Sequence, residues 1–230
     1  MQLSNLTKII LFLAISGLVL TGCNQTKTDV AAIGPPAEAL RAEPPFLNEE
    51  PENYQTEIKV TSGAVVERFF AVRKGANWRI DAGYGDPGQV TTMKTDKDYV
   101  LSMATKTYSD YDSGHGFDER SRMIGEISRG MVNNRAQAVF EKIGTEGTIT
   151  KYRKWGEATK DLTSIISFDE KLGLPVRMEI FKNTNGTGPA DVIVELVGFK
   201  TEPDETLLAI PKDFKLVPLP EMKKVLIAKP

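Results

Sequence analysis

The chain has 230 residues, with 29 lysines and arginines against 31 acidic side chains and a formal charge of −2. That balance, with no basic stripe, excludes a nucleic-acid surface of the usual kind. A single cysteine excludes an internal disulfide and a cysteine metal site, so stability has to come from a packed core.

Lys8 and the amino terminus form a short positive region, and Ile9 to Leu20 is an apolar run. That run is shorter than the roughly 20 apolar residues a spanning helix needs, which fits a secretory signal. It ends in Gly17-Leu-Val-Leu-Thr-Gly-Cys23, and Cys23 is the only cysteine. This stretch resembles the lipobox of bacterial lipoproteins. The resemblance implies cleavage after residue 22 and lipidation of Cys23, which makes a membrane a partner through a lipid anchor. Asn24 in the next position implies the outer membrane, facing the periplasm. Two or more acyl chains are what stable anchoring takes.

Removing residues 1–22 takes away Lys8 and no acid, leaving 28 basic against 31 acidic side chains. Residues 23–53 read as the lipidated cysteine and a tether, with Pro35, Pro36, Pro44, Pro45 and Pro51. Such a segment is semi-rigid and extended, reaching roughly 30 to 90 Å. Residues 54–230 remain, enough for one well-cored domain.

From Tyr54 the pattern has period 2. Tyr54, Thr56, Ile58 and Val60 predict one strand face; Val66, Phe70 and Val72 predict the next, with Glu67 across from them. Trp78, Ile80, Ala82 and Tyr84 continue the series, then Tyr99, Leu101 and Met103. Gly75-Ala76-Asn77 and Asp96-Lys97-Asp98 supply turns. Met123, Ile124, Ile127 and Met131 fit a helical face, and residues 135–142 allow helix or strand. Strands return at Thr148–Trp155, Leu162–Phe168, around Val176, Met178 and Ile180, and over Asp191–Phe199. The expected class is α+β: a strongly curved antiparallel sheet forming an unclosed barrel, with one or two helices covering its concave face.

Several stretches carry a further resemblance. Asn77-Trp78-Arg79-Ile80, Tyr99-Val100-Leu101-Ser102-Met103, Phe168-Asp-Glu-Lys-Leu-Gly-Leu-Pro175 and Leu208-Ala-Ile-Pro-Lys-Asp-Phe214 are similar to periplasmic lipoprotein-carrier domains of the LolA/LolB-like fold. The resemblance implies a half-barrel whose apolar cavity takes acyl chains, here a lipid or lipoprotein ligand bound without any cofactor. Phe70, Trp78, Ile80, Tyr84, Tyr99, Leu101, Met103 and Tyr108 are the candidate lining, since aromatic and methionine side chains suit adaptable apolar binding. The same residues equally fill a core. RseB-type sensors of this fold class imply an alternative, a regulatory module with an envelope protein partner bound through an exposed edge strand or loop.

Three motifs point to chemistry. Gly83-Tyr-Gly-Asp-Pro-Gly88 matches G-x-G-x-x-G, but the nucleotide reading requires a helix next, and Gln89–Met93 reads as a strand. Asp110, Asp112 and Asp118 resemble the opening of a calcium loop without its glycine and glutamate spacing. His115, the only histidine, is the one candidate base for Ser109, Ser113 or Ser121, and no nucleophile elbow accompanies it. The expectation is a protein that is not an enzyme. Finally, Lys223, Lys224 and Lys229 surround Val225-Leu226-Ile227, a tail suited to an anionic membrane surface or to docking on the domain.

Overall fold

A computed structural model describes residues 42–43, 51–111, 138–156, 162–183 and 185–227. Within them lie twelve strands. The first six are β1 (Asn53–Ser62), β2 (Val65–Lys74), β3 (Asn77–Ala82), β4 (Val90–Lys94), β5 (Asp98–Ser102) and β6 (Thr107–Tyr111). The second group is β7 (Ala138–Glu146), β8 (Ile149–Gly156), β9 (Thr163–Asp169), β10 (Leu174–Phe181) and β11 (Val192–Lys200). A 3-10 turn (Glu205–Leu208), the short β12 (Lys215–Leu216) and helix α1 (Leu219–Ile227) follow.

All twelve strands form one sheet in the order β12-β6-β5-β4-β3-β2-β1-β11-β10-β9-β8-β7. Each half is a meander, and β11 returns to pair antiparallel with β1, joining them. Among the described residues only β12 on β6 is parallel. The sheet is curved and does not close on itself, leaving β12 and β7 as its ends. Gly63-Ala64 and Gly75-Ala76 make the first two hairpins, with φ of 58° and 57° at the glycines. A glycine at positive φ in the first central position is the II′ geometry, whose twist matches the strands.

Residues directly opposite on paired strands share a face. Ile58 stands opposite Phe69 and Leu196, and Val60 opposite Val194. Met178 joins Val194 to Ile166, and Ile166 leads on to Tyr152. This core face carries one cluster, including Tyr54, Ile58, Phe69, Ala71, Phe140, Ile166, Phe168 and Met178, all under 5% exposed. The first strand therefore faces as the sequence predicts.

In the second, Val66, Phe70 and Val72 share a face with Glu67 across from them, as predicted, but it is the face of Glu67 that turns to the core. Phe69 and Ala71 enter the core, while Val66 is 50% exposed. The run Phe69-Phe-Ala-Val72 is apolar on both faces, so alternation cannot choose between them. Both faces are in fact used, because Val72, Met93 and Leu101 are buried on the opposite one. There the C-terminal segment crosses: Arg79 Nη1 donates to the Leu207 carbonyl at 2.9 Å. Arg79 Nε also donates to Asp81 at 2.8 Å, and Thr91 Oγ1 donates to the same carboxylate oxygen at 2.5 Å. Asp81, 1% exposed, is thus compensated by a charge and a hydroxyl. Helix α1 packs on β5 and β6 and buries Met222 completely.

The segment 135–142 resolves as strand from Ala138 onward. Asp169 Oδ1 accepts from Lys171 N and Leu172 N, making the predicted turn before Leu174. The predicted helix over 117–132 and the tether, apart from residues 42–43 and 51–53, lie outside the described residues.

Candidate functional site

The eight candidate lining residues do not share a face. Ile80 is level with Thr92, and Thr92 with Val100, so Trp78, Ile80 and Val100 belong to the core face. Leu101 is level with Thr91, and Thr91 with Asp81, which puts Tyr99, Leu101 and Tyr108 on the opposite face. Met103 lies in the turn after β5, its N–H donating to the Gln89 carbonyl. The misplacement has a physical cause. Tyr99-Val100-Leu101 is apolar at consecutive positions, and a shift of one residue swaps the faces of a whole strand. One apolar cavity lined by all eight is therefore not what the fold builds.

Two pairs among the eight do meet: Tyr99 lies edge-on to Tyr108 with ring centroids 6.2 Å apart, and Phe70 meets Tyr84. Phe70 projects from β2 on the face opposite the core, and the ring of Tyr84 stacks on it with centroids 4.9 Å apart. The guanidinium of Arg68 lies 5.2 Å from the Tyr84 centroid. Arg68 is itself fixed by a fork on Glu57 of β1, Nε to Oε1 at 2.6 Å and Nη2 to Oε2 at 2.9 Å. Such pairing supplies orientation as well as attraction. The Arg68 hydrogen bond holds the Glu57 carboxyl below its ordinary 4.5, against a smaller opposing effect of burial.

The G-x-G-x-x-G stretch is what places Tyr84. It links two antiparallel strands and no helix follows, so the phosphate reading falls. Instead Tyr84 N–H donates to the Arg68 carbonyl at 2.9 Å, extending the ladder by one bond past β3. Asp86 N–H returns to the Gly83 carbonyl, and Gly85 N–H donates to Gln89 Oε1 at 3.1 Å. Gly85 has φ of 84°, and a Cβ there would come within 3.1 Å of Arg68 Nη1. The glycine is needed both for the turn and for the close approach of the arginine.

The surroundings of this platform are mixed. Val66 on β2 and Val197 on β11 are 50% and 44% exposed and share its face. Next to them runs a ladder of ion pairs: Lys59 with Glu195, and Arg177 with both Glu195 and Glu179. An aromatic and an arginine, pre-ordered and half-exposed among apolar neighbours, are the side chains that dominate protein interfaces. Sequence patterning marks Phe70 and Tyr84 as members of strand-face series. It misses Glu57 and Arg68, whose only signal is opposite charge at neighbouring cross-strand positions.

On the core face, burial pushes the Glu67 carboxyl up and the Lys154 ammonium down. Among the described residues no group of three or more His, Cys, Asp or Glu side chains is placed to hold a metal. Asp110 pairs with Lys97. Cys23, Asp112, His115 and Asp118 lie outside the described residues.

No family model matches this chain, and no curated protein does. Among solved structures, a "Crystal structure of MucB" superposes with a TM-score of 0.46 at 9% identity, over 70% of this chain and 58% of that one. "The complex structure of Pseudomonas aeruginosa MucA/MucB" gives 0.45 at 10% identity, over 72% and 58%. An uncharacterised conserved protein from Thermus thermophilus gives 0.39 at 15% identity, over 72% and 89%. The chain thus spans less than two thirds of the MucB chains it matches. The architecture stands on the strand pairing itself.

Proposed function

We propose that this protein is an envelope lipoprotein, anchored through Cys23, whose domain binds a partner protein at the Arg68–Tyr84–Phe70 platform. The work is recognition, not catalysis. The observation that carries this reading is Tyr84 stacked on Phe70 and capped by Arg68, with Arg68 locked by Glu57, on a half-exposed face. A side chain already fixed in its bound rotamer loses little entropy on association. The apolar leader before Cys23 supports the address, and a Cys23→Ser chain should no longer incorporate labelled fatty acid.

The alternative, an acylated ligand in a half-barrel, is supported less well. Its lining residues fall on two faces, and Tyr54, Ile166 and Met178 on the core face are packed by their own neighbours. Two experiments separate the readings. Crosslinking in cells and isolating the full protein should recover one partner in stoichiometric amount from the parent and not from Tyr84→Ala. Organic extraction of the same protein should yield no lipid beyond the acyl groups on Cys23; a stoichiometric lipid and no Tyr84-dependent partner would favour the carrier.

A further inference from the structure

We propose that the β12–α1 end of the sheet rests on an anionic bilayer surface. This end is remote in strand order from β11 and does not depend on the platform's role.

Helix α1 turns Met222 inward and leaves Lys223 and Lys224 exposed. Ile227, four residues after Lys223 and three after Lys224, stands on the same side of the helix and is 81% exposed. Leu226 is also exposed, and Leu216 on the adjoining β12 is 61% exposed. Single exposed aliphatic residues are ordinary. Here three of the eight large exposed apolar side chains among the described residues fall within twelve positions.

The charge of the same end is opposite to that of the whole chain. Lys106, Lys212, Lys215, Lys223 and Lys224 stand against Asp213 and Glu221, in a protein whose total is −2. Asp213 is already satisfied by Lys106 at 2.7 Å, so it does not neutralise the lysines that follow. Ammonium groups around protruding aliphatic tips match a surface of lipid phosphates over acyl chains. The lysines meet the headgroups, and Leu216 and Ile227 enter the interface. The expected contact is reversible, because the apolar area is small and each lysine adds modestly.

The test uses the chain from Asn24 onward, which keeps every described residue and removes the apolar leader and the lipidated cysteine. It is floated with vesicles of phosphatidylglycerol and phosphatidylcholine, and separately with phosphatidylcholine alone. Flotation is expected with the first only, and should fall as salt is raised. Lys223→Ala and Lys224→Ala should each weaken it about fivefold, and Ile227→Asp should weaken it as well. All three side chains are exposed, so unchanged thermal melting is expected and checks the fold. Absence of flotation with anionic vesicles overturns the proposal, as does equal flotation with neutral ones. Variants that bind like the parent overturn it too.

Discussion

Arg68 lies 5.2 Å from the centroid of the Tyr84 ring, and its guanidinium is held on both carboxylate oxygens of Glu57. Three elements converge in that contact: β1 gives the acid, β2 the base, and the β3–β4 loop the ring. The loop's conformation depends on a glycine. Gly85→Ala should strain a backbone at φ 84° and crowd Arg68 Nη1, costing about 1–2 kcal/mol. Chemical denaturation measures the loss, and the Tyr84 ring resonances should move towards their unfolded positions.

The buried ion pair between Arg79 and Asp81 makes a larger prediction. Asp81 accepts from Arg79 and Thr91, and Arg79 in turn holds the Leu207 carbonyl. Asp81→Ala leaves a nearly buried arginine without its counter-charge and should cost about 3–5 kcal/mol. The C-terminal segment should loosen first, read as faster proteolysis beyond Lys200. Asp81→Asn keeps an acceptor for Arg79 and should cost less.

The split of the candidate lining residues is also measurable. Ile80 and Leu101 lie two strands apart on opposite faces. Alanine at each should destabilise by about 2–5 kcal/mol. The double variant should add to within about 0.5 kcal/mol, since the sheet itself separates the two sites. A shared cavity would give a clear interaction energy instead.

Much of the fold is legible in the sequence. β11 is legible from its β-branched residues and β9 from the Asp169–Gly173 turn after it, and alternation places β1, β3 and β10, where polar and apolar residues take turns. It fails where that contrast vanishes. Phe69 to Val72 buries both faces, and Tyr99-Val-Leu101 is apolar on both, so the face of each has to come from cross-strand register. That register is fixed by hairpin turns such as Gly75-Ala76 and not by hydrophobicity. The platform is half legible. Phe70 and Tyr84 stand out as aromatic, but only the fold brings Arg68 and Glu57 onto them from two strands. The glycine-rich loop reads as a hairpin in the sequence, and its purpose emerges only when Gly85 is set against Arg68.

Acid should weaken the platform. Glu57 is held below its ordinary 4.5, so its contribution is complete above 4.5 and is lost as pH falls through the depressed value. Glu67 runs the other way. Burial raises it, so its ionised form opposes folding above that raised value, and the opposition is gone below the ordinary 4.5. Glu67→Gln should therefore raise the melting temperature at neutral pH and lose that advantage in acid. Arg68→Ala should flatten the acid limb of the stability profile, because Glu57 then titrates near its ordinary value.

A partner protein docked on the Tyr84 platform would lie over Val66. A photoreactive residue in place of Val66, on the same half-exposed face, tests that docking most directly in the intact envelope. One discrete protein adduct is expected on illumination, and none from the same probe at Lys151 on β8. Tyr84→Ala should lower partner affinity at least about thirtyfold and suppress the adduct. Labelling from position 66 that is absent, lipid-borne, or unchanged by Tyr84→Ala would contradict it.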